Sequence, residues 1–211
     1  DVTSYAEWLL GFAPDEHREF HKLFIETSAD VARSTVLARK CLWGFPDELG
    51  RYNNSDWPYT AFFAVSEPLI SFDCDKESFM GMYQKDDQPL AMTQSSLAGR
   101  SGRFTDAIAA LQVAVDLEPG QSKTIIFTLG AAEDCKEDVW ELIERYNSPE
   151  KSALALQSVK KFWSQFVDSE RVETPDEALN LMTNDWLKYQ AISCRLWGKS
   201  GPYQVSAGYG F

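Results

Sequence analysis

Four places in the sequence hold residue types that can do chemistry. The first is the terminal stretch "GPYQVSAGYGF", residues 201–211. Glycines let a backbone come close to a ligand, and neighbouring aromatic and amide groups can stack on a sugar and hydrogen-bond it. Tyr203, Gln204 and Tyr209 are the candidates; a packed helix-to-loop corner accounts for the same composition equally well. The second is "HREFH", with His17 and His21, the only histidines. It is not the H-E-x-x-H zinc signature, because the glutamate stands one position late. It reads as loop entering strand, and the ordinary structural reading is preferred. The third is "FDCDKE", with Asp73, Asp75 and Glu77. Calcium ligands or a catalytic carboxylate pair are the functional readings, but calcium needs more oxygens in a tight loop with a glycine at the bend, and Asp75 is expected instead to cap a short helix carrying Phe79 and Met80. The fourth is "LAGRSGRFTD", where Arg100 and Arg103 can meet a sugar or an anion or simply be solvated. No G-x-S-x-G supports a serine nucleophile.

Composition narrows the class. The 211 residues are 44% apolar, 25% charged and 13% aromatic, the balance of a globular domain. A net charge of −12 leaves no basic stripe for nucleic acid or an anionic membrane. No apolar run approaches the roughly 20 residues of a span. Cys41, Cys74, Cys135 and Cys194 are scattered without a C-x-x-C pair, which points to reduced thiols and a cytoplasmic setting. The start, "DVTSYAEWLLGF", lacks Met and enters a strand pattern at once. Both ends read as cut from something longer.

The elements that must position these residues change character along the chain. "KLFIETSAD", "STVLARKCLW", "WPYTAFFAVSEP" and the start of "LISFDCDKESFMGMY" read as strands. Residues 84–106 read as a long polar loop. In "ALQVAVDLEPGQSKTIIFTLG" Leu111, Val113, Val115 and Leu117 alternate with Gln112, Ala114, Asp116 and Glu118, and Ile125, Phe127 and Leu129 resume the alternation after "EPGQS". This predicts an antiparallel hairpin with one buried face. After Gly130 the period becomes helical. Val139, Trp140, Leu142, Ile143 and Tyr146 share one face of a first helix. Ser148 and Pro149 open a second, with Ala155, Val159, Phe162, Trp163 and Phe166 pointing inward. Thr174, Pro175 and Glu177 open a third as cap, first residue and capping-box partner. Its stripe runs through Leu179, Met182, Trp186, Tyr189, Ile192, Ser193 and Leu196 to a C-cap at Gly198. Strands followed by helices imply two architectures in series.

"WLKYQAISCRLWGKSGPYQVSAGYGF" resembles the segment that opens the catalytic barrel of glycoside hydrolase family 94, which includes cellobiose, cellodextrin, chitobiose and oligo-β-1,2-glucan phosphorylases and the phosphorylase domain of cyclic β-1,2-glucan synthase. "TSYAEWLLG", "REFHKLFIET", "SFDCDKESFMG" and "AALQVAVDLEPGQSKTIIFTLG" resemble its N-terminal β-sandwich, in the same order. The resemblance implies a fold of β plus α in series: an antiparallel β-sandwich (supersandwich) segment over residues 1–131, linker helices over 132–173, and the first helix of an (α/α)6 barrel from 174 to 211.

The implied activity is that of an inverting glycoside phosphorylase acting on a β-linked gluco-oligosaccharide. Inorganic phosphate is the co-substrate and no other cofactor is needed. An inverting hydrolase needs one carboxylic acid and a second carboxylate to activate water. Phosphate is already an anion, so one acid suffices. In the family that acid is an aspartate further along the chain, so no catalytic residue is assigned here and the segment alone is expected to be inactive. Tyr203, Gln204, Tyr209 and Gly210 match the loop bordering the donor-sugar pocket. The family also implies a homodimer and exposed apolar surface, most of all on the helix at 175–197. Two alternatives stand beside this reading: a segment of cyclic β-1,2-glucan synthase, and a non-catalytic carbohydrate-binding β-sandwich.

Overall fold

Seven strands are laid down before the chain turns helical. The computed structural model describes residues 1–11, 22–41, 57–85, 87–134 and 136–197. The strands are β1 (Val2–Glu7), β2 (Ile25–Asp30), β3 (Thr35–Lys40), β4 (Tyr59–Val65), β5 (Leu69–Asp75), β6 (Ala107–Val113) and β7 (Phe127–Glu133). They form two antiparallel sheets, one ordered β1-β6-β5 and the other β2-β3-β4-β7. The β2–β3 hairpin is closed by a turn whose last residue, Ser34, takes φ 50°. Its buried hydroxyl accepts the Leu69 N–H at 3.0 Å, tying this turn to the start of β5.

The hairpin expected from the alternation around "EPGQS" does not form. β6 lies between β1 and β5, and β7 pairs with β4 over seven positions in the other sheet. A strand has two hydrogen-bonding edges, and both edges of β6 are taken, so β7 has nowhere to pair on it. The alternation reports burial, not partner. Val115 and Ile125, on the connection between the two strands, still pack on the core as the chain passes from sheet to sheet.

Every residue of β6 is buried. Ala107, Ala109, Leu111 and Val113 face the inter-sheet core, against Val36, Ala38, Ala61, Phe63 and Val65. Ile108 and Ala110 face the other way, under Phe79, Ala91 and Leu97. That outer cover comes from α1 (Lys76–Met80), a 3-10 turn at Leu90–Thr93, and the chain after it. On the far side of the second sheet, Phe62 and Ala64 meet Ile143 of α2 (Val139–Tyr146). Gly130 is required there, because a Cβ at that position would stand 2.6 Å from Cζ of Phe62. Burying each large side chain contributes about 1.5–3 kcal/mol, and β6 supplies Ile108, Leu111 and Val113 to this total.

The expected loop at 84–106 is partly structured. Its end forms a strap: Gly99 donates to Phe72 O at 2.7 Å on the edge of β5, and Thr27 donates to Gly102 O at 2.8 Å on the edge of β2. One short segment therefore covers an edge of each sheet, where unpaired backbone groups would otherwise be left.

The chain divides into two compact units, Asp1–Ser152 and Ala153–Phe211. α3 (Pro149–Val167) begins as expected, with Ser148 Oγ accepting the Lys151 N–H at 3.2 Å. Its stripe is not inward. Val159, Phe162 and Phe166 are exposed and no residue of α3 is buried, because no described element covers that face. The last helix starts later than Thr174. Asp176 is the cap, its carboxylate accepting from Ala178 and Leu179 N–H. Glu177 is the first helical residue. Thr174 instead accepts the Asp176 N–H through Oγ1 at 3.2 Å and bonds to Asn180. A carboxylate next to the helix makes the better acceptor for the first orphan N–H groups. From there α4 (Glu177–Leu181), a π turn (Met182–Trp186), α5 (Leu187–Ala191) and a second π turn (Ile192–Trp197) run without a break.

Candidate functional site

Tyr203, Gln204, Tyr209 and Gly210, the sugar-loop candidates, lie outside the described residues, as do His17, His21 and the expected C-cap Gly198. The acidic cluster is described. Asp75 caps α1, accepting the Glu77 N–H at 3.1 Å, and its other oxygen takes Arg100 at 2.9 Å. Asp73 is buried and accepts the Asp75 N–H at 3.2 Å, while its Oδ2 has no hydrogen-bond partner among the described residues. Among the described residues no group of His, Cys, Asp and Glu is arranged to hold a metal ion. Arg103 pairs with Glu26 at 3.0 Å. Both loop arginines are thus engaged by carboxylates of the neighbouring strands.

Two further arrangements were not read from the sequence. At the end of β1, Glu7 accepts from Lys76 at 2.6 Å and Lys22 at 3.0 Å, and Lys22 also reaches Asp106. Lys76 foremost, with Lys22 and Tyr5 adding, holds the Glu7 carboxyl down at about 2. Lys76 is raised in return by Glu7. This four-charge network borders a cavity of about 400 Å³ lined by Thr3, Tyr5, Phe79 and Met92. The network closes on itself, so its chemistry is that of a clamp between β1, α1 and the approach to β6.

The second arrangement is in the helical unit. Asn180 and Asn184, one helical turn apart, both reach back to the preceding connection. Asn184 accepts from Val172 N at 2.7 Å and donates to Val172 O at 2.8 Å; Asn180 does the same to Thr174 at 2.8 Å each. Lys188 donates to the Val167 carbonyl at 2.5 Å and to that of Glu170, closing the end of α3. Trp163 packs against Tyr189 with ring centroids 5.3 Å apart and planes tilted by 55°. The only sequence signal for the amide clips is the spacing of two asparagines on one helix face.

Held this way, Val167, Leu181, Met182, Trp186 and Tyr189 line an apolar cavity of about 700 Å³ with Asp185 at its side. Trp186 is 53% and Leu181 64% exposed. The expected exposed apolar stripe on the final helix is therefore present. It carries no nucleophile or acid–base pair among the described residues; what it offers is an exposed apolar surface. No helix among the described residues is long and apolar enough to cross a membrane.

Comparison with known proteins divides the chain in the same sense. Residues 1–149 match the glycosyl hydrolase 94 supersandwich domain, and residues 162–211 match the glycosyl hydrolase 94 superfamily catalytic domain. Cyclic beta-(1,2)-glucan synthase NdvB of Rhizobium meliloti (strain 1021) is 32% identical over 212 residues, covering 100% of this chain and 7% of its own length. N,N'-diacetylchitobiose phosphorylase of Vibrio proteolyticus is 25% identical over 148 residues, 70% of this chain and 18% of its own. The 3-O-beta-D-glucopyranosyl-beta-D-glucuronide phosphorylase of Paenibacillus borealis is 30% identical over 125 residues, 59% of this chain and 16% of its own. The chain thus spans less than a fifth of the length of these relatives. With its strand region matched from end to end to the supersandwich and its last helix to the catalytic domain, the chain belongs to glycosyl hydrolase family 94.

Proposed function

We propose that this chain is a segment of an inverting glycoside phosphorylase, which reversibly converts a β-linked gluco-oligosaccharide and inorganic phosphate into a sugar 1-phosphate and a shortened sugar. The observation that carries the reading is the order of the two family matches, supersandwich then catalytic domain, along one chain. The named phosphorylases among its relatives support it. In this reading residues 1–131 belong to the sandwich, 132–173 to linker helices, and 174–211 open an (α/α)6 barrel. The uncovered stripe of Leu181, Met182, Trp186 and Tyr189 is the face on which later barrel helices pack. Tyr203, Gln204, Tyr209 and Gly210 border the donor-sugar pocket. The catalytic acid and the phosphate contacts come from elsewhere in the parent polypeptide, so the segment alone is inactive. The parent works without a metal or organic cofactor, as a cytoplasmic homodimer.

A second reading has a specific observation behind it. The glucan synthase relative is matched over the full chain at 32% identity, which favours a segment of a cyclic β-1,2-glucan synthase with the same phosphorylase-type domain. Membrane spans in the flanking sequence of the parent decide between the two. The activity itself is tested by phosphate release from glucose 1-phosphate with a panel of acceptors, using the full-length parent. Acceptor-dependent release is expected. Absence of release with every glucoside acceptor, from a folded parent, overturns the phosphorylase reading.

A further inference from the structure

The strap at residues 97–103 is held unlike the rest of the sandwich. Leu97 is buried, but Ala98, Gly99, Arg100 and Ser101 are all exposed, so between its ends the strap buries no apolar side chain. Its attachments are polar. On the β5 side, Gly99 donates to Phe72 O at 2.7 Å and Cys74 donates to Arg100 O at 3.0 Å. On the β2 side, the Thr27 hydroxyl donates to Gly102 O at 3.0 Å and accepts the Gly102 N–H at 3.1 Å. Two exposed ion pairs flank these bonds, Arg100 with Asp75 and Arg103 with Glu26.

Gly99 and Gly102 sit at φ 71° and 133°, with open space around both α-carbons. They are therefore natural pivots, able to absorb a change in backbone angle that other residues would resist. Local opening starts where buried apolar contacts are few and hydrogen bonds face solvent.

Beside the strap lies Cys74, fully buried in the core between the sheets, on the edge strand to which the strap bonds. Thr27, itself buried, joins all three pieces. It belongs to β2, latches Gly102, and hydrogen-bonds the Cys74 side chain. Burial pushes that thiol up to about 12, so it is inert while covered.

We propose that residues 99–102, between Arg103 and the buried Leu97, form a clasp that opens about Gly99 and Gly102, without unfolding of the sheets, and that this opening uncovers Cys74 and the edges of both sheets at once. The proposal is independent of the phosphorylase reading.

The test is alkylation of Cys74 by iodoacetamide in the full-length parent under native conditions, resolved by peptide mass spectrometry, with amide hydrogen exchange measured in parallel. Thr27→Val removes both hydroxyl bonds to Gly102 while keeping the side chain's shape. It is expected to speed Cys74 alkylation about tenfold, with exchange in β3, β4 and β6 unchanged. Gly102→Ala, strained at positive φ, should act in the same direction, and 1 M NaCl should act more weakly by screening the ion pairs. Val36→Ala serves as the global control. The proposal fails if Cys74 reacts only in step with exchange of β6, or if Thr27→Val and Val36→Ala raise its reactivity in the same proportion to their loss of global stability. Should Thr27→Val not fold, the pair Arg100→Gln and Arg103→Gln, both on the surface, gives the same decision at smaller amplitude.

Discussion

In the strand region Val36, Phe63, Leu111 and Val113 are sealed between two sheets of the same chain. In the helical region Leu154, Phe162, Leu181 and Trp186 stand in the open. Both regions are rich in apolar residues, and both form regular elements from good local signals. The difference lies in whether the partner surface is supplied. The sandwich carries both halves of its core, so each strand's apolar face meets another within the described residues. The helices are stapled by polar contacts instead: Asn184 on Val172, Asn180 on Thr174, Lys188 on two carbonyls. A helix can thus be held in place by polar contacts and still present an uncovered apolar stripe.

The contrast can be broken most directly by truncating one side chain in each region. Leu111→Ala, at a fully buried site in the central strand, is expected to cost about 2–5 kcal/mol in urea unfolding of this chain. A change within error would mean that the core between the sheets does not hold this region together. Gly130→Val forces a branched side chain into the Phe62 ring. It should cost about 1–3 kcal/mol by the same measurement, and Phe62→Ala in the same molecule should recover part of the loss. Asn184→Ala removes two bonds to Val172. A local loss of about 1–2 kcal/mol is expected, seen as faster amide exchange across residues 168–176 with β6 unaffected.

A smaller effect tests the charge clamp. Glu7 is depressed from 4.5 to about 2, with Lys76 the main cause. A carboxyl lowered on folding contributes stability that is present above its unfolded value and lost as pH falls through the folded one. The loss therefore lies between about pH 4.5 and 2. With the side chain a third exposed, solvent screening reduces the contribution to about 1 kcal/mol. Glu7→Gln should remove this pH dependence and leave a flatter stability curve there. Smallest of all is Trp186→Ala in this chain. The exposed ring should change stability by less than about 0.5 kcal/mol while lowering binding of an apolar dye. A large loss of stability would show that the stripe is covered after all, and the comparison would fall.

Much of this was legible one residue at a time. Strand positions followed from aromatic and β-branched runs, as in "WPYTAFFAVSEP" and β4. Asp75 and Ser148 act as the caps their residue types suggested. What misled was any inference from sequence neighbours to spatial neighbours. β6 and β7 look like a hairpin and lie in different sheets. Thr174 was the expected cap, yet Asp176 takes that place while Thr174 bonds to Asn180. Arg100 and Arg103 stand in a polar loop, yet each meets a carboxylate from a strand far away in sequence. The candidate sugar loop, Tyr203 to Gly210, was read from residue types and resemblance alone.

The sequence by itself determined which stretches extend, which coil into helix, and which face of each is apolar, because these depend on interactions within a few residues. It also carried the family, through ordered motifs spread over the chain. The tertiary structure alone decided which strands share a sheet, that residues 97–103 clasp two sheet edges, and that α3 leaves its apolar stripe uncovered. Those outcomes depend on competition among distant surfaces for a limited number of hydrogen-bonding edges and apolar faces, and no short window of sequence contains both competitors.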